Sequence, residues 1–63
     1  MPHAGTAIRA MRKAQKLSLR ELAALAEVDY STLSKVERNL HEPSARWLKA
    51  VTDALGKHLG GAA

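Results

Sequence analysis

The most restrictive feature of this chain is a pair of helix-start signals set very close together. Ser18, Leu19, Arg20 and Glu21 follow the pattern of a capping box, in which the Ser hydroxyl accepts from the Glu21 amide while the Glu carboxylate accepts from the Ser amide. A short way downstream, Asp29 is a second good cap. Helices predicted over 19–26 and 30–38 are then joined only by Glu27, Val28 and the cap itself. A connection this tight forces the two helices to cross steeply. The apolar or small residues Leu22, Ala23, Ala26, Val28, Leu33 and Val36 supply the inward face of such a pair. Ala23 matters most, because closely crossing helices admit only a small side chain between them.

Further helices flank this pair. Met1 to Gly5 reads as a loose end, after which Thr6 can cap a first helix over 7–15, with Ile8 and Met11 spaced to share one face. Lys16 and Leu17 form a short link. In the second helix Leu22, Leu25 and Ala26 have the spacing of a buried stripe, and in the third Leu33 and Val36 are the buried pair. Asn39 can end the third helix because Asn tolerates the left-handed conformation. Leu40, His41, Glu42 and Pro43 then lead to Ser44, a cap for a fourth helix over 45–55 carrying Leu48, Val51 and Leu55 on one face with Trp47 beside them. Gly56 is a natural stop, and 56–63 reads as a tail, frayed from Gly60 onward, in which a last half-turn through Leu59 could form a fifth helix. The expectation is an all-α, compact bundle of four short helices, one domain over 1–63.

Composition narrows the function. A chain of 63 residues buries roughly 60% of its unfolded surface, enough for one modest core and little room for an enzyme pocket. Without cysteine there is neither a disulfide nor a thiolate metal site. His3, His41 and His58 are scattered at no metal-ligand spacing, so no metal or cofactor is expected. Ser31, Ser34 and Glu37 have no histidine placed as a base partner, and the chain is read as no enzyme. No apolar run approaches the ~20 residues of a membrane span, and no signal peptide precedes the helices, which predicts a cytoplasmic protein with no membrane partner. The net charge of +4 and pI near 10 suit a polyanion. Trp47 is read as core, since a lone aromatic gives no stacking platform.

The chain closely resembles the Cro and phage-repressor type of helix-turn-helix, often called the XRE family. The resemblance rests on Ile8, Arg9, Met11 and Arg12, on Leu17, Ser18, Glu21, Leu22 and Ala23, on Val28, on the run from Ser31 to Arg38, and on Pro43 and Ser44. It implies a lambda-repressor-like fold whose third helix enters the major groove of double-stranded DNA, with Tyr30, Ser31, Thr32 and Lys35 facing bases. Lys35 to guanine O6 and N7 is the leading pairing. Ser18, Arg20, Ser34, Arg38, Asn39 and Arg46 are the implied phosphate contacts, with Lys16 nearby. The resemblance also implies an internal ion pair between Arg12 and Glu37. Asp29 is read as a cap, with acceptance from a cytosine amino group as the alternative. Three positions depart from the family: Leu19 where Gln is common, and Glu27 and Asn39 where Gly is common. A positive φ at Glu27 would cost on the order of 1 kcal/mol.

These readings converge on a transcriptional regulator, a phage or prophage repressor or Cro-like protein, blocking a promoter by occupancy with no effector domain. Such a protein works in the cytoplasm of a bacterial or phage-infected cell. The alternative is an antitoxin-type module that binds a protein partner as well as DNA, through an exposed apolar patch around Leu40, Leu55 and Leu59. No small-molecule ligand is expected, and pairing of two copies is expected to be weak or promoted by DNA.

Overall fold

The computed structural model describes residues 3–61, with side chains as far as residue 58. Four helices follow in order: α1 Ala4–Ala14, α2 Leu19–Ala26, α3 Tyr30–Glu37 and α4 Ala45–Gly61. No strand occurs among the described residues, and none of their helices is long and apolar enough to cross a membrane. α2 packs on both α3 and α4, and α1 packs on α3 and α4. One core of Ile8, Leu17, Leu22, Ala23, Ala26, Leu33, Val36, Val51, Ala54 and Leu55 lies between them, with Leu19, Val28, Trp47 and Leu48 packed against it. Burying such aliphatic side chains is worth about 1.5–3 kcal/mol each, and this drives the assembly.

The caps expected of the central helices are present. Ser18 Oγ accepts from the Glu21 amide at 3.0 Å and the Glu21 carboxylate accepts from the Ser18 amide at 2.8 Å. Asp29 accepts from the Thr32 amide at 3.1 Å, and Ser44 Oγ accepts from the Trp47 amide at 3.1 Å.

At their other ends α1, α2 and α3 terminate in the same way, each with a non-glycine residue in the left-handed region: Lys16 (φ 58°), Glu27 (φ 56°) and Asn39 (φ 61°). The next amide in each case reaches back to the last turn: Leu17 to the Arg12 carbonyl (3.1 Å), Val28 to Ala23 (3.0 Å) and Leu40 to Lys35 (2.9 Å). These are Schellman closures, which satisfy carbonyls that the helix leaves without partners. Glu27 and Asn39 were expected there; Lys16 had been read only as linker.

Several expectations are corrected. α1 begins at Ala4, not at 7, so Ala4 and Gly5 belong to the helix and not to a loose end; Met1 and Pro2 lie outside the described residues. His3, which makes no side-chain cap bond, stands at the helix start in place of Thr6. The early start follows from packing. Gly5 is buried against the Val36 carbonyl, an approach that any larger side chain would block, and Thr6 Oγ1 instead accepts from Asn39 Nδ2 at 3.4 Å. Met11 and Leu25 are 42% and 50% exposed. In α1 the inward face is set by Ile8 and Arg12, one turn apart, and in α2 by Leu22, Ala23 and Ala26, so both side chains fall at the rim. Residues 56–61 neither fray nor form a fifth helix but continue α4 through Gly56. Val51, Ala54 and Leu55 anchor that helix to the core and outweigh the ~1 kcal/mol helix penalty of one glycine. The side chain of Leu59, like the structure of residues 62 and 63, lies outside the described part.

Candidate nucleic-acid interface

Among the described residues one buried ion pair joins α1 to α3. Arg12 donates through Nε and Nη2 to the two Glu37 carboxylate oxygens, each at 2.8 Å, and through Nη1 to the Leu17 carbonyl at 2.8 Å. Both side chains are buried. A bidentate pair in which the third guanidinium nitrogen also donates meets the conditions under which a buried charge is tolerated. These bonds connect α1 to the α1–α2 link and to α3.

With Leu33, Val36 and Glu37 turned inward, α3 presents the rest of its surface outward. Tyr30, Ser31 and Lys35 are exposed, and Thr32 and Ser34 are half-buried beside them. Arg38 and Asn39 are exposed at the far end of α3, and Arg46 is exposed in the first turn of α4. Ser18 and Arg20 are exposed at the start of α2. The residues expected to read bases all lie on α3, and those expected to hold phosphates lie at the start of α2, on and after α3, and in the first turn of α4.

The polar chemistry of this face is partly committed internally. Asp29 is more than a cap: its carboxylate accepts from the Ser31 hydroxyl and, at 3.4 Å, from the Thr32 hydroxyl as well as from the Thr32 amide. The Ser31 hydroxyl, followed by the Thr32 amide, holds the Asp29 carboxyl below its ordinary pKa range. An ionised carboxylate only accepts, so the Ser31 hydroxyl donates to Asp29 and keeps its oxygen as an acceptor. At the start of α2 the Glu21 carboxylate occupies the Ser18 amide, and that bond lowers its pKa. Arg38 Nε donates back to the Ser34 carbonyl at 3.4 Å. Arg38, Arg9 and Ser34 line one shallow cleft with Leu19 and the Arg12–Glu37 pair. Arg9 in this cleft is a cation that the sequence reading left without a role.

Another contact was not legible in the sequence. The Arg20 guanidinium lies over the Tyr30 ring, 4.8 Å from its centroid, within the range of cation–π attraction. It joins the first turns of α2 and α3.

The apolar patch expected around Leu40, Leu55 and Leu59 is not assembled as such. Leu55 is only 2% exposed and belongs to the core, whereas Leu40 is 67% exposed. Among the described residues no group of His, Asp or Glu is placed to hold a metal ion.

A family model described as helix-turn-helix matches residues 8–61. Over 52 residues the chain is 42% identical to the "Immunity repressor protein" of Bacillus phage phi105, a match that takes in 82% of this chain and 36% of that protein. The chain thus spans little more than a third of that relative's length. No solved structure matches it.

Proposed function

Because the chain belongs to the helix-turn-helix family of Cro and phage-repressor type, we propose that it is a sequence-specific double-stranded DNA-binding regulator, a phage or prophage repressor that acts by occluding a promoter. This is a family of DNA-binding regulators and not of enzymes. The observation that carries the reading is the outward face of α3: Tyr30, Ser31 and Lys35 are exposed on a helix whose opposite side is fixed by Leu33, Val36 and the Arg12–Glu37 pair. A rigid polar helix of this kind fits the major groove, where each base pair has its own donor and acceptor pattern.

In this reading Lys35 donates to guanine O6 and N7. Ser31, whose hydrogen is drawn to Asp29, and Thr32 accept from adenine or cytosine amino groups. Ser34, Arg38, Asn39 and Arg46 hold backbone phosphates on either side. Residues 1–63 act as one domain, and two copies pair weakly, promoted by DNA, so that two third helices reach successive major grooves.

Selection of bound duplexes from a random pool, followed by titration on the selected site, tests the proposal. Lys35→Ala is expected to relax preference at one base pair by roughly 1–3 kcal/mol with nonspecific binding nearly intact. Arg38→Ala is expected to weaken all duplexes and to reduce the salt slope by about one. Failure of the wild-type protein to enrich any sequence would refute the proposal.

A further inference from the structure

The sequence alone groups Arg20 with the phosphate contacts. In the structure its guanidinium lies over the face of Tyr30. Tyr30 is the first residue of α3, directly after the Asp29 cap, and the first turn of a recognition helix is the part that meets base edges. Arg20 is in the first turn of α2. The stack therefore carries a cation from the neighbouring helix to the tip of α3, more than a helical turn away from Lys35.

Three observations bear on what this cation does there. Among the described residues Arg20 makes neither an ion pair nor a side-chain hydrogen bond, so its N–H donors are uncommitted. The guanidinium carbon lies over the ring at 4.8 Å from its centroid, and this attraction favours keeping the cation at the first turn of α3. The exposed Glu21 carboxylate is fixed on the Ser18 amide at the start of α2, and this negative charge disfavours a phosphate beside it. The planar fork of arginine matches a phosphate or the O6 and N7 edge of a guanine. Fixing the orientation of a planar fork matters when the acceptors are themselves two coplanar atoms, as O6 and N7 of guanine are.

We propose that Arg20 and Tyr30 form one stacked reading unit, in which Tyr30 orients the guanidinium and Arg20 donates to the major-groove edge of a guanine at a base pair distinct from the one contacted by Lys35. The inference rests on the DNA-binding reading given above. It makes Arg20 a specificity residue and Tyr30 a positioning residue, and it places a second helix, α2, in direct base readout.

Selection from random duplex DNA with wild type, Arg20→Gln, Tyr30→Phe and Tyr30→Leu tests it, with a thermal melt of each variant to show that these exposed substitutions leave the fold intact. The wild-type site is expected to contain a guanine whose replacement weakens binding roughly 5- to 150-fold. Arg20→Gln removes the cation and is expected to lose the guanine preference at that base pair alone, because Gln pairs with adenine, whereas loss of a phosphate contact would weaken all duplexes alike. Tyr30→Phe, which retains the ring, is expected to keep the preference, and Tyr30→Leu to lose it at the same base pair. Retention of every base preference by Arg20→Gln would overturn the inference while leaving the regulator reading intact, and so would a loss in Tyr30→Leu confined to a different base pair. A wild-type protein that selects no sequence would overturn both.

Discussion

Two glycines to alanine, one at each end of the fold, should move stability in opposite directions. Gly5 lies in the first turn of α1, and an ideal Cβ built on it would overlap the Val36 carbonyl oxygen and stand 2.8 Å from its carbon and 3.0 Å from Asn39 Oδ1. Non-bonded carbons prefer about 3.5–4.0 Å, so α1 or the end of α3 must retreat by roughly 1 Å. The neighbour is backbone, and it already accepts from the Asn39 amide at 3.0 Å, so it cannot simply rotate aside. Overpacking of this kind costs about 1–3 kcal/mol, and a backbone obstacle puts it at the upper end. Replacing glycine within a helix returns at most ~0.5–1 kcal/mol. The net loss is about 2 kcal/mol, which at ~4–8 °C per kcal/mol for a domain of this size lowers Tm by roughly 8–16 °C. Gly56, in the interior of α4, has no atom within 4 Å of its ideal Cβ. Gly56→Ala should therefore gain ~0.5–1 kcal/mol and raise Tm by roughly 2–8 °C. Circular dichroism melts of the three proteins at one pH and salt concentration decide the matter. A Gly5→Ala protein that melts at or above wild type would refute the close approach of α1 to α3, and a destabilised Gly56→Ala protein would refute the continuation of α4 through that position.

Removing one partner of the buried pair, as in Glu37→Ala, should cost about 3–5 kcal/mol in urea denaturation by stranding the Arg12 charge, and Arg12→Met with Glu37→Leu should cost distinctly less than either truncation alone. Asp29 and Glu21 both have carboxyl pKa values lowered by their hydrogen bonds. Their contribution is thus complete above the unfolded values near ~4 and is lost as pH falls through the lower folded ones. Tm should therefore drop on acidification below about pH 4, and Asp29→Asn, which keeps a good cap without a titrating group, should flatten that drop. Glu27→Gly should be neutral or stabilising by up to ~1 kcal/mol in a thermal melt, since Glu27 sits at φ 56°.

What the sequence determined by itself is everything whose cause lies within a few residues. The Ser18–Glu21 box, the Asp29 and Ser44 caps, the bounds of α2 and the left-handed turns at Glu27 and Asn39 are local hydrogen-bond and dihedral problems, and local residue chemistry solves them. The outward set Tyr30, Ser31 and Lys35 was equally legible, because Leu33 and Val36 fix which side of α3 faces in. The tertiary structure decided what depends on partners distant in sequence. Gly5 extends α1 because Val36 lies against it, and α4 runs on through Gly56 because Val51, Ala54 and Leu55 are held by the other helices. Arg20 reaches Tyr30 across the packed α2–α3 pair. In each case packing outweighed a local preference of about 1 kcal/mol or less, a difference too small for residue type alone to settle.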